Sequence, residues 1–225
     1  MASAFAQGLE SVSPKIWNAS ASLRGFYDDN YTVSSNRKGS WGWELSPSVS
    51  AHTDLRQTDI GLRYTFGMYY YAQRASIGVD PIDYTHVADL WIDHAVSETL
   101  KINITDSFVV AQDPQLTQGG AVVRVEGNNL VNNANVRVDK DWTRQFSTST
   151  HYNNKLVIYS DNNDPSVAPG SNPSNAALLN RMEQGIGNDF QWEFQPQTMG
   201  LIGYTFSWVR YNGGENIAPS TVTVP

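Results

Sequence analysis

Hydrophobic and polar residues alternate with a period of two along the stretch 40–72. Every second residue of 41–51 is apolar, and after a polar break at 53–57 the apolar residues return at the even positions of 60–70. Successive side chains of a β-strand point to opposite faces of the sheet. The pattern therefore predicts a β-hairpin with one apolar face and one polar face.

The two strands of this hairpin are long and carry aromatic residues at one end. Strands of soluble proteins mostly have about 5–6 residues, whereas a tilted strand that crosses a bilayer needs about 9–11. Trp41 and Trp43 begin the first strand, and three tyrosines at 69–71 end the second. Because the strands are antiparallel, these rings lie at one level, which is typical of the interfacial girdle of a transmembrane barrel.

The same alternation recurs along the chain and predicts nine long strands. Their connections alternate between long and short, as in bacterial outer-membrane barrels, where the turns on the periplasmic side are short and the extracellular loops are long. The first strand would then run outward from the periplasm. The predicted strands are 17–27, 41–52, 59–70, 84–96, 100–110, 134–142, 147–159, 181–194 and 199–211.

The predicted fold is an all-β, antiparallel up-and-down transmembrane β-barrel built from long hairpins. Bacterial single-chain barrels have an even number of strands, so nine strands indicate an incomplete, N-terminal part of a longer barrel. Two alternatives are that one segment is misassigned and eight strands close the barrel, or that other chains close it. The predicted organisation is a lead at 1–12, barrel strands at 13–211, and a loop at 212–225 that leads to missing strands.

Composition limits the classes of function. The chain has 225 residues, a mass of 25.0 kDa and a mean hydropathy of −0.41, with no apolar run as long as a spanning helix. Barrel strands hide their apolar residues at alternate positions, so this hydropathy is compatible with a membrane barrel. The net charge of −7 disfavours a nucleic-acid partner. The lack of cysteine argues against disulfides and thiolate metal sites, and we expect no cofactor.

The first residues, 1–12, are expected to be a signal-peptide remnant and a short lead. Ala4-Phe5-Ala6 has the small-residue pattern of a signal cleavage site, with cleavage expected before Gln7. The charged and apolar regions that precede such a site are missing. Either the sequence begins inside the signal peptide or Met1 is an addition.

Two segments, GFYDDN at 25–30 and WELSP at 43–47, occur among long hairpins that have acidic or amide residues near their turns. Over about 13–211 this pattern resembles the β-barrel porin families of the Gram-negative outer membrane, including barrels encoded beside exopolysaccharide genes. The resemblance implies a location in the cell outer membrane and a role as a passive pore or polysaccharide-associated barrel. It implies no catalytic residues. The expected partners are the lipid bilayer and lipopolysaccharide, small solutes or polysaccharide, and the barrel assembly machinery.

In a barrel of this kind the polar face lines the lumen. It carries charges of both signs with an acidic excess, which predicts a water-filled lumen with a mild preference for cations. Asp141, Arg181 and Glu193 lie on the same predicted face. The outward aromatic girdle is assigned to Trp41, Trp43, Tyr70 and Trp208. The charged residues predicted to line the lumen are Arg24, Glu44, Asp59, Arg63, Asp89, Asp93, Lys101, Arg137, Asp139, Lys155, Glu183 and Asp189.

Catalytic and metal-binding motifs are absent from the sequence, so we expect no enzyme. The chain has no H-E-x-x-H, G-x-S-x-G, P-loop or dinucleotide fingerprint. Ser107 and His151 are remote candidates for a hydrolase pair. Asp161, Asn163 and Asp164 form an oxygen-rich cluster that could hold calcium, but it lacks the glycine and distal glutamate of an EF-hand loop, and a solvated turn explains it as well.

Two other classes of function remain open from the sequence. A secreted β-sandwich could bind glycans through its aromatic residues or act as a structural or adhesive protein. An outer-membrane hydrolase is the second alternative. In a sandwich the apolar side chains would meet each other between two stacked sheets, whereas in a membrane barrel they face lipid.

Overall fold

The computed structural model describes residues 16–31, 37–78, 80–111, 129–160, 176 and 179–212. These residues form a single nine-stranded sheet in which each strand pairs antiparallel with the next along the chain. A short 3-10 helix, Ala75–Ile77, lies between the third and fourth strands. The strands are β1 Trp17–Asp28, β2 Ser40–Leu55, β3 Thr58–Tyr71, β4 Ile82–Ser97, β5 Leu100–Ala111, β6 Asn129–Asp141, β7 Phe146–Tyr159, β8 Arg181–Gln195 and β9 Thr198–Tyr211.

The predicted all-β, up-and-down arrangement of nine long strands is confirmed. Within the described residues β1 and β9 do not pair with each other, so the sheet is open, as an incomplete barrel would be. The N-terminal lead and most of the C-terminal loop lie outside the described residues. The assignment of a longer chain therefore stays a prediction.

Two predicted boundaries were wrong. β6 begins at Asn129 rather than at 134, because its asparagine-rich start pairs with both neighbouring strands: Asn132 lies opposite Phe108 and Leu156. The amide run is typical of a loop in sequence, but here cross-strand pairing determines its conformation. The polar break at 53–57 is also shorter than predicted, since β2 and β3 continue to a turn at 56–57.

The register keeps two sets of side chains on opposite faces across all nine strands. Directly opposed residues of antiparallel strands point to the same face. Leu45, Met68 and Tyr84 are opposed in this way on one face. The polar face carries the adjacent set, such as Glu44 and Tyr69. No second sheet covers the apolar face within the described residues, so the stacked-sheet interface that a β-sandwich requires is not formed there.

Every buried residue of the described strands lies on the polar face. Examples are Asp83, Ser149 and Val157, which are 7%, 4% and 1% exposed. Large apolar side chains of the other face stay exposed, among them Trp41 at 65% and Leu62 at 51%. This asymmetry indicates that the sheet curves toward its polar face, so we call the polar face the inner face and the apolar face the outer face.

Two inner-face glycines let side chains from flanking strands meet above the middle strand. The His52 and Trp91 rings stack above Gly61 with centroids 6.2 Å apart. His151 Nε2 reaches Thr205 Oγ1 at 3.3 Å above Gly187. A Cβ atom on Gly61 would overlap the Trp91 ring. Glycine is therefore required at these positions by close approach of side chains.

Apolar packing on the inner face is concentrated at the end of the sheet that carries the long connections. Val131, Val157 and Tyr159 form a buried cluster, and Ala176 and Leu179 from the β7–β8 connection pack against it. The connection is also held by the Asn180 side chain, because its oxygen accepts a hydrogen bond from the backbone N–H of Tyr159 on β7 at 2.6 Å. Part of this connection thus lies over the inner wall.

We expect Gly61→Val to destabilise the protein more than Gly25→Val. Gly25 lies on the outer face, where an added Cβ would meet the Trp43 ring at an ordinary 3.4 Å. Valine suits a strand at either position, so overlap with Trp91 should account for the difference, about 1–3 kcal/mol in the free energy of unfolding. Urea unfolding followed by tryptophan fluorescence measures it. A Trp91→Leu change should relieve the defect of Gly61→Val, and equal losses for the two glycines would contradict the explanation.

Candidate functional site: the inner face of the sheet

All the charged residues predicted to line a lumen lie on the inner face. The register connects them strand by strand, from Arg24 opposite Glu44 on β1 and β2 to Glu183 and Asp189 on β8. Asp141, Arg181 and Glu193 share that face. The structure thus places these side chains on one surface, while their role in lining a lumen stays a prediction.

A row of opposed residues near the middle of the inner face carries charges of both signs. Arg63 lies opposite Asp89, and Lys155 lies opposite Glu183. The Ser107 hydroxyl donates to Asp89 at 2.8 Å. Opposite charges on neighbouring strands attract, but within the described residues neither opposed pair is close enough to form an ion pair. We call it the mixed-charge row, and its members are Arg63, Asp89, Ser107, Asn133, Lys155 and Glu183.

A second row, closer to the short turns, begins with three carboxylates on consecutive strands. Asp54 lies opposite Asp59, and Asp59 lies opposite Asp93. His52 Nε2 is 2.9 Å from Asp59 Oδ1, and the Asn103 amide donates to Asp93 at 2.7 Å. Like charges directly opposite each other are destabilising, so this arrangement costs stability. We call Asp54, Asp59 and Asp93 the acidic row.

The neighbouring cations compensate only part of this negative charge. Arg137 donates its Nε to Asp139 at 2.9 Å, which engages its charge on the same strand. Lys101 lies opposite Asp139 in register. Within the described residues neither Lys101 nor Lys155 has a carboxylate at ion-pair distance. The inner face near the short turns is therefore electronegative.

Glu44 is the centre of a hydrogen-bonded group on β1, β2 and β3. It accepts from Arg24 Nε at 2.7 Å, from the Ser46 hydroxyl at 2.9 Å and from the Tyr69 hydroxyl at 3.1 Å. Its side chain is 15% exposed, whereas that of Arg24 is 66% exposed. The carboxylate is thus held in place by three donors, of which only the arginine is well hydrated.

A buried ion pair at the long-connection end was not predicted from the sequence. Arg74, just before the 3-10 helix, donates to Asp83 Oδ1 at 2.6 Å, and both side chains are nearly buried, at 12% and 10% exposure. The Arg74 guanidinium also lies 3.9 Å from the centre of the Tyr71 ring. Arg74 falls in a predicted loop, so only the three-dimensional arrangement reveals the pair. The Arg74–Asp83 pair holds the β3–β4 connection against the inner face of the sheet.

The predicted aromatic girdle lies on the outer face near the long connections. Trp43 is directly opposite Tyr70, and the Trp41 ring packs against Tyr27 with centroids 5.0 Å apart. Trp208 is near the corresponding end of β9 and is 39% exposed. All four predicted residues thus share a face and an end of the sheet, which is the placement that a girdle requires.

A second group of aromatic residues lies on the outer face at the short-turn end and was missed in the sequence. The Phe146 and Trp192 rings are 5.7 Å apart, and Trp192 stacks on Phe194 at 6.2 Å. Trp142 is 61% exposed beside them in the β6–β7 turn. In the sequence these residues occur separately, at the ends of predicted strands or in turns. Only the strand register places them side by side. Aromatic residues therefore flank the outer face at both ends.

The remote hydrolase pair is not brought together. Ser107 donates to Asp89, whereas His151 contacts Thr205 at 3.3 Å and Asp189 at 3.8 Å. The calcium candidates 161, 163 and 164 lie outside the described residues. In the part of the chain that is described, no three His, Asp or Glu side chains form a metal-binding group, and no helix is long and apolar enough to cross a membrane.

Comparisons with known proteins give a distant similarity. No family model matches the chain, and no curated protein matches it significantly. Among solved structures, the chain is similar to the crystal structure of the P. putida toluene transporter TodX, with 8% sequence identity and a TM-score of 0.33. The alignment covers 87% of this chain and 65% of that chain, so this chain spans less than two thirds of the transporter's length.

We expect Glu44→Leu to lower stability more than Arg24→Leu. Removing Glu44 withdraws the acceptor that Ser46 and Tyr69 share, which should cost about 1–3 kcal/mol. Removing the exposed Arg24 breaks a hydrated ion pair and should cost less than about 1 kcal/mol. Urea unfolding midpoints of the two variants and the unchanged protein measure the difference. Equal losses would show that the ion pair, rather than the three-donor arrangement, holds this part of the wall.

Proposed function

We propose that this chain is an outer-membrane β-barrel protein whose inner face lines a water-filled passage for small hydrophilic solutes, with a mild preference for cations. The observation that carries the proposal is the distribution of exposure over the two faces. Buried residues of the described strands lie on the polar face, and large apolar side chains are exposed on the other.

The outer face favours a lipid environment. Its exposed aliphatic and aromatic residues include Val49 at 48%, Leu62 at 51% and Phe206 at 63%. Exposing apolar surface to water costs about 25 cal/mol per Å², and soluble monomers rarely expose large continuous apolar patches. Strands of 12–16 residues are long enough to cross a bilayer when tilted. Lipid acyl chains, with lipopolysaccharide in the outer leaflet, are therefore the proposed surroundings.

The inner face favours water. Charges in a dry, narrow interior must be paired, because burying an ion costs several kcal/mol. Lys155 faces Glu183 across the strands without a close ion pair, and the acidic row keeps like charges adjacent. A hydrated lumen accommodates both at little cost. Rings of acidic side chains attract cations in channels, which is the basis for the proposed selectivity.

Closure of the barrel is part of the proposal. Backbone N–H and C=O groups at a free sheet edge cannot stay unpaired in hydrocarbon. The outer edges of β1 and β9 have no strand partner within the described residues. We propose that further strands, from a longer chain or from other chains, pair with these edges. Insertion of such a barrel would involve the barrel assembly machinery.

Charge reversal at the acidic row should change ion selectivity. The purified full-length protein is expected to conduct in planar bilayers and to prefer cations. Asp93→Lys should lower the cation-to-anion permeability ratio by about two-fold or more, because it places a positive charge among the remaining carboxylates. The reversal potential in a KCl gradient measures this ratio.

The matched control is Glu98→Lys, which makes the same charge change in the exposed β4–β5 turn. It should leave the ratio nearly unchanged. A protein that inserts into bilayers but conducts no ions would contradict the passage. Equal effects of Asp93→Lys and Glu98→Lys would show that the inner face does not set selectivity.

A further inference from the structure

The outer face differs between the two halves of the sheet. On β1–β4 it carries only apolar, aromatic, glycine, threonine and histidine side chains. On β5–β8 it also carries a carboxylate, several amides and, at the short-turn end, Lys140, although the register there continues without interruption through the strand interiors. Polar residues therefore occupy positions of β5–β8 that point to the outer face. They do not arrive there through a shift in strand pairing.

These polar side chains form one patch. The Asn132 amide donates to Asp106 Oδ1 at 2.7 Å. Along the adjacent row of opposed residues, Asp106 on β5 is followed by Ala134, Asn154 and Gln184 on the next three strands. All of these side chains are partly buried by their neighbours. We call Asp106, Asn132, Asn154 and Gln184 the outer polar patch.

The position of Asp106 is unfavourable if lipid covers it. It lies at the middle of β5, Leu100–Ala111, far from both interfaces. An ionisable residue at that depth is costly in hydrocarbon and usually marks a functional contact with a polar partner. It cannot act on solutes in the lumen, because it points to the opposite face of the sheet. A protein surface with hydrogen-bond donors at the same depth would remove this cost.

We propose that the outer polar patch is the contact surface for a second copy of this chain. The proposal rests on the barrel function given above. All copies insert in the same direction, so a two-fold axis between them runs along the membrane normal and brings equal depths together. An axis at Ala134 places β5 of each copy beside β7 of the other copy. Because the strands are tilted, Asp106 of each copy lies diagonally across from Asn154 of the other copy, where a carboxylate acceptor can meet an amide donor on both sides of the axis.

The local shape fits this arrangement. The outer faces of the two copies are convex, so they come closest at β6, the strand on the axis. Ala134 on β6 has a small side chain, which permits this close approach. Asp106 and Asn154 lie one strand to either side, about 5 Å from β6 each. Their side chains can bridge the widening gap between the copies. The patch is self-complementary, since amides both donate and accept hydrogen bonds.

Cysteine cross-linking tests the axis directly, because the chain has no cysteine of its own. In native outer membranes under mild oxidation, Ala134→Cys should give a disulfide-linked dimer of this chain. Val49→Cys, at an aliphatic position on the outer face of β2, is the matched control and should stay monomeric. Adding Asn154→Leu to Ala134→Cys should slow cross-linking about 20-fold, because the symmetric dimer loses two hydrogen bonds worth about five-fold each.

Lipid quenching separates the two proposals. A fluorophore on Val49→Cys should be quenched by lipids with a spin label in the acyl chain, and one on Ala134→Cys should be protected. If both are quenched and no dimer forms, the contact surface is refuted while the lipid-facing orientation stands. If Val49→Cys is not quenched, the barrel proposal itself fails. Cross-linking of Ala134→Cys to a different protein would refute the second copy as the occupant. Heat-dependent gel migration verifies that each variant is folded.

Discussion

Backbone hydrogen bonding between neighbouring strands is the constraint from which the two faces of this molecule follow. Pairing fixes the register, and the register fixes which side chains share a face, since a slip of one residue would exchange the faces. Eight antiparallel strand pairs keep the same two sets of side chains on the same two faces from β1 to β9. The two irregularities, at Ala95/Ser97 and at Glu193/Gln195, lie next to turns. Each irregularity therefore changes the pairing only at the end of a hairpin. The strand interiors keep their charged inner-face residues on the inner face.

Packing then decides which face is inside. Glycines beneath the His52–Trp91 stack and beneath His151 let inner side chains converge, and the buried residues of the strands collect on that face. The two ends of the inner face differ. Near the long connections it is closed in by an apolar cluster and by the Arg74–Asp83 pair. Near the short turns it carries the acidic row. A passage with these walls would be narrowed at one end and electronegative at the other.

The sequence predicts the strands well because alternation over a dozen residues is a strong signal. It also predicts which charged residues lie on the inner face, because each occupies a polar position of that alternation. It fails where local composition conflicts with tertiary pairing. Asn132 belongs to an amide run typical of loops, yet it pairs within β6. Arg74 acts from a connection that no periodicity describes. The aromatic group of Trp142 and Trp192 becomes visible only when separate hairpins are aligned.

Asp89 and Asp106 show why the surroundings of a side chain matter more than its nearest partner. Both lie near mid-strand, and each accepts one short hydrogen bond, from Ser107 and Asn132 respectively. On the inner face, water can satisfy the remaining oxygen of Asp89. On the outer face, a carboxylate at membrane depth costs about 3 kcal/mol, whereas one hydrogen bond contributes about 1 kcal/mol. In the proposed membrane barrel, Asn132 alone therefore does not offset the cost for Asp106, which is the reason for proposing donors from a second copy.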